Sequence, residues 1–164
     1  MSGVNDRLIY KNIVNLVEAK ITADGWNNAD RANLPVTVED EIVPNDESIK
    51  PNAMAVALED VRYRDVEIGS NLTDKITVVV VDVLAEGKEI GMHLAGDFSD
   101  YFKSLYNIPI YDYINYDEDT SVVAFNIDIS GVFLERNRMS TGKSKQWWWV
   151  ISFGIEETAP ADQL

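Results

Sequence analysis

Ile9, Ile13, Leu16, Val17 and Ile21 follow one another at gaps of 4, 3, 1 and 4 residues, the apolar stripe of an amphipathic helix. The stripe predicts an N-terminal helix within residues 1–25, with Gly25 as its stop. A second stripe, Ile90, Leu94, Phe98, Tyr101, Phe102 and Leu105, has gaps of 4, 4, 3, 1 and 3 and predicts a helix from about Gly87 to Ser104, with Pro109 beyond its end. Between the helices the period changes to two. Met54, Val56 and Leu58 alternate with alanines, and Val61, Tyr63, Val66 and Ile68 continue the pattern after an irregularity between Asp60 and Arg64, as two strands or one bent strand. Ile76 to Leu84 is almost continuously β-branched, the pattern of a central strand buried on both faces. An aspartate at Val80 is therefore expected to bury an unpaired charge and abolish folding.

Strand patterns return after the second helix, at Ile110–Tyr116, Val122–Glu135 and Gln146–Ile155, the last two joined by a turn-like stretch from Arg136 to Lys145. From Glu156 the chain turns polar and is expected to fray. The order predicts an α+β fold: a mixed or antiparallel β-sheet with two main amphipathic helices packed on one face and a long C-terminal β-hairpin. We expect one domain over 1–164, divided into the helix of 1–25, a loop or arm at 27–51, a sheet at 53–155 carrying the helix of 87–104, and a polar tail at 156–164. In the arm only Leu34–Val38 looks like a strand, and the acidic groups Glu39-Asp40-Glu41 and Asp46-Glu47 mark it as a working surface segment.

Charge narrows the function classes. The 164 residues carry 14 Lys+Arg against 28 Asp+Glu, a formal net charge of −14, which is the wrong sign for wrapping a nucleic-acid backbone. There are no cysteines, so thiol catalysis, Cys-based zinc sites, iron–sulfur ligation and disulfides are excluded. The N-terminus lacks the basic and apolar regions of a signal peptide, and the longest strictly apolar run, Val78 to Val81, is far short of the ~20 residues of a membrane span. A soluble protein made in the cytoplasm, with no membrane partner, is expected. The sequon Asn71-Leu72-Thr73 then carries little meaning.

Candidate chemistry is sparse. His93 is the sole histidine and lacks a partner for a triad or an ordinary metal site, so a structural or interfacial role is expected. Asp112, Asp117, Glu118 and Asp119 read as a solvated acidic turn without the glycine and terminal glutamate of an EF-hand loop. Gly142-Lys143-Ser144 resembles the end of a phosphate-binding loop, but Asn137 stands where the earlier glycine is required, and strands flank it. Ser140 and Lys143 have a Ser-x-x-Lys spacing without its companion motifs. We expect no catalytic residue, no metal and no cofactor.

The concentrated feature is basic. Arg136, Arg138, Lys143 and Lys145 are four of the fourteen basic residues and stand within ten positions free of acids. In an acidic protein such a hairpin suits an acidic surface, which a second copy of the chain supplies. Beside it, Trp147, Trp148 and Trp149 must place an indole on each face of their strand, and an exposed indole suits an interface. These seven residues are the candidate interface.

Read in order, the segments resemble the tail terminator proteins of long-tailed bacteriophages. The likeness rests on the first helix ending near Gly25-Trp26, on Asn52 to Leu58, on Val66-Glu67-Ile68-Gly69-Ser70, on the strand and helix from Val80 to Phe102, and on the closing strands with a basic tip and tryptophan-rich return. The resemblance implies a structural virion protein of the tail and neck region, assembled in the host cytoplasm. It implies a homohexameric ring, bound to the tail tube protein on one side and a head-completion or connector protein on the other, with DNA passing through the opening without specific binding. The alternatives are another connector, neck or tail-completion subunit, a non-viral acidic protein-binding module, and an enzyme working through carboxylates.

Overall fold

The computed structural model describes residues 2–27, 35–42, 52–66, 69, 71–112, 122–138 and 147–160. The elements are α1 (Ser2–Ala23), β1 (Thr37–Glu39), β2 (Ala53–Asp65), β3 (Leu72–Ala85), α2 (Lys88–Ser104), β4 (Asn107–Tyr111), β5 (Val123–Arg138) and β6 (Trp147–Pro160). Among the described residues the strands form one sheet in the order β1-β2-β3-β6-β5-β4. The β1–β2 pair is parallel and the rest are antiparallel, so the sheet is mixed and the fold is α+β, as the sequence predicts.

Helix α1 ends where Gly25 adopts φ 74°, which lets Gly25 N donate to Thr22 O and Trp26 N donate to Ile21 O at 2.9 Å. That is a Schellman cap, and it turns buried Trp26 back towards buried Ile21 in the core. Buried Asn12 interrupts the apolar stripe for a reason. Its Nδ2 donates to Tyr111 O and its Oδ1 accepts from Tyr111 N, each at 3.0 Å, so one amide ties α1 to β4. Pro109 lies inside β4, which among the described residues is an edge of the sheet, where a missing N–H is tolerated. Helix α2 has already ended at Ser104.

Both helices pack on one face of the sheet. Val79, Val81 and Val83 of β3, Met54 and Val56 of β2, and Ile151, Phe153 and Ile155 of β6 meet Ile9, Ile13 and Val17 of α1 and Leu94, Phe98 and Phe102 of α2. Helix α2 approaches closely because its buried side carries Gly91, Ala95 and Ser99. A Cβ on Gly91 would stand 2.0 Å from Trp149 Cζ3, so the indole requires glycine there. At the far end of this layer Lys75 is fully buried, its Nζ donating to Asp6 Oδ1 of α1 at 2.5 Å and lying 3.8 Å from Glu157 Oε2 of β6.

The strand of Ile76–Leu84 is central as expected, but it is not buried on both faces. Burial alternates along β3 from Leu72 to Val83, with Val79 and Val81 inaccessible and Val78 and Val80 half-buried, because neither α1 nor α2 covers the second face; only at its end, at Leu84, is that face buried as well. Val80 is therefore not a core position. The polar tail is also corrected: β6 continues to Pro160, because Leu72 to Ile76 extend β3 and pair with Glu156–Pro160, where Glu157 meets Lys75. The irregularity in β2 falls between Glu59 and Val61, and one bent strand results.

Candidate functional site

The ladder between β5 and β6 runs to Arg138, opposite Trp147, with Arg136 opposite Trp149. Lys143 and Lys145 lie outside the described residues, as do the side chains of Arg136 and Arg138, the motif residues Ser140 and Gly142-Lys143-Ser144, and the acidic-turn residues Asp117, Glu118 and Asp119. Much of the arm, 28–34 and 43–51, is likewise outside them. The tryptophans divide as strand geometry demands. Trp149 is buried beneath α2, and Trp147 lies on the same face, half-buried, with ring centroids 6.2 Å apart and Lys88 Nζ 6.0 Å from the Trp147 ring. Trp148 points to the opposite face, which is helix-free among the described residues.

That face carries a groove of about 480 Å³. Its floor is Ala55 and Ala57 of β2, Val80 of β3, and Val150 and Ser152 of β6. The register makes these neighbours, since Ala55 pairs with Asp82, Ala57 with Val80, and Val80 with Ser152. Two alanines on β2 leave open the space that larger side chains would fill. Trp148 and Ile42 form one end of the lining, and Asp40, Glu41, Glu59 and Asp82 supply its charge. Among the described residues no basic side chain lines it.

Trp148 is held rather than loose. Its Nε1 donates to Asp82 Oδ1 at 2.8 Å, and its ring packs beside Ile42, Ala53, Ala55 and Leu84. Burial pushes the Asp82 carboxyl above the ordinary aspartate range; the indole hydrogen bond opposes this, and the negative charge of Glu59 adds to it. Phe133 extends the same face. Gly131, at φ 60°, allows a bulge between Ser130 and Phe133, which sets Phe133 opposite Ser152 of the groove floor and leaves it 65% exposed.

The other sequence candidates are scattered. Exposed His93 stands edge-on to Trp26, with ring centroids 5.1 Å apart, while Trp26 Nε1 donates to Asp97 at 3.2 Å. Asp112 N donates to Val122 O at the end of β4. Among the described residues no group of three or more His, Asp or Glu side chains is arranged to hold a metal ion. Sequence reasoning missed the groove and Phe133. The alternation of alanines with Met54, Val56 and Leu58 is the signal for the groove floor, and Gly131 next to an apolar run is the signal for the bulge. No protein-family model matches the chain, and no curated protein sequence matches it at a significant level.

Proposed function

We propose that this chain is a structural subunit of a bacteriophage tail terminator, a ring that caps the tail tube and joins it to the head. The observation that carries the reading is the unequal treatment of the two sheet faces. One is closed by both helices, while the other keeps an acid-lined groove, a held tryptophan and an exposed phenylalanine, the composition of a surface made for other protein. The element order supports it, with a capped first helix, a central strand leading after two residues into α2, and a closing pair of long strands. A subunit of net charge −14 also suits a channel, because it offers DNA few cations to grip and lets it slide.

The role is structural, with no catalytic residue, and the partners are further copies of the chain, the last ring of the tail tube and a head-completion protein. Sedimentation of the purified chain over a concentration series, with negative-stain imaging of the largest species, tests this. Closed rings with a central opening, expected to hold six copies, support it. A monomer at every concentration, or a two-fold dimer that grows no further, contradicts it.

A further inference from the structure

We infer that the acidic groove on the helix-free face receives the basic segment Arg136–Lys145 of a second copy of this chain. The inference rests on the ring reading and names the contact that joins its subunits. Shape comes first: the alanine floor leaves a groove of about 480 Å³, and the Trp148 indole, fixed by its bond to Asp82, offers a rigid face for an arginine or a lysine stem. Charge comes second. Asp40, Glu41, Glu59 and Asp82 contribute four carboxyl groups to the lining, and among the described residues no basic side chain lines it. These carboxyl groups do not gather as metal ligands among the described residues, so the complement they fit is a set of separate basic side chains.

The chain itself supplies that complement in one place, since four of its fourteen basic residues fall between Arg136 and Lys145 with no acid among them. Copies carrying −14 each repel at long range, and such a contact both offsets the repulsion locally and fixes the register. Groove and segment are different patches of one chain, so a contact made once between two copies is heterologous, the kind that closes into a ring when its rotation permits, whereas a reciprocal exchange would stop at a two-fold dimer. Phe133, exposed beside Ser152, adds apolar contact on the same face.

Two variants test the contact, one with Asp40→Lys and Glu59→Lys in the groove and one with Lys143→Glu and Lys145→Glu in the segment. Asp40 and Glu59 are exposed, and thermal melting checks that both variants fold. Sedimentation velocity at low salt is expected to show self-association weakened roughly tenfold or more in each variant. An equimolar mixture is expected to restore association, because the native segment of the first variant meets the native groove of the second and the two reversed patches no longer repel each other. Raising the salt weakens association of the parent. Rings formed by either variant as readily as by the parent overturn the contact and leave the ring reading standing. A mixture that forms no pairs also overturns it, as when the segment occupies the groove of its own chain. A parent that stays monomeric at every concentration overturns both.

Discussion

Trp149 and Trp148 are adjacent in β6 and lie on opposite faces of one sheet. Trp149 is sealed under α2 so closely that the helix must carry glycine at position 91, and its neighbours are the valines and phenylalanines of the main core. Trp148 is covered only in part, by Ile42 and the alanines of β2, and its indole nitrogen is spent on a carboxylate. The first face is specified by volume, with close packing that tolerates little change. The second is specified by charge and by room left open. Apolar residues alternate to both faces of β3, so hydrophobicity alone does not separate a finished core from a surface that awaits a partner.

The contrast is broken most severely by placing the same charge on either side. Val81→Asp puts an ion among inaccessible side chains and is expected to abolish cooperative folding, whereas Val80→Asp faces the groove and is expected to leave a folded chain. Urea denaturation followed by circular dichroism distinguishes them. Equal damage from both would remove the distinction between the faces.

Within the helix-bearing face the closeness of packing is tested at two glycines of α2. Gly91→Ala drives a methyl into Trp149 and is expected to cost about 1–3 kcal/mol. Gly96→Ala meets nothing within 4 Å and is expected to gain roughly 0.5–1 kcal/mol from helix propensity. Urea midpoints of the two variants should therefore move in opposite directions.

A smaller effect sharpens the comparison through protons. Glu157 on the helix face and Asp82 on the open face are both shifted upward, each chiefly by burial; Lys75 opposes the shift at Glu157 and the Trp148 hydrogen bond opposes it at Asp82. With the folded pKa above the unfolded one, the native state holds the extra proton between the two values. The stabilisation is complete below the unfolded pKa and is lost as pH rises through the folded pKa. Stability from about pH 4 to pH 7 should thus fall less steeply in Glu157→Gln and in Asp82→Asn than in the parent. An unchanged slope in both variants contradicts the burial of these carboxyl groups.

Helix stripes, strand periods and the glycine stop of α1 were legible because each depends on residues a few positions apart. Lys75 was not, since its partner Asp6 lies 69 residues away and nothing local marks a lysine in a strand as buried. Nor was the extension of β6, because Glu156 to Pro160 show no alternating apolar pattern, and the pairing of this stretch with β3 is not marked locally. Gly91, Ala95 and Ser99, four apart on α2, carried the signal of close helix approach, but it emerges only when small residues are counted as a face. Of the candidate interface tryptophans only Trp148 lines the groove; Trp149 is buried beneath α2 and Trp147 lies beside it, so the run of three did not show which indole leaves the core. The groove itself was not legible, because Asp40, Glu59 and Asp82 come together only through the β1–β2–β3 register.

The central claim is that the helix-free face is the associating face, and hydroxyl-radical footprinting of the full chain below and above its association concentration tests it directly. The account predicts that Trp148 and Phe133 lose reactivity on association, while Met92 on α2, 54% exposed, and Tyr106 after it, 79% exposed, keep theirs. Protection of Met92 and Tyr106 with Trp148 and Phe133 unchanged would contradict it.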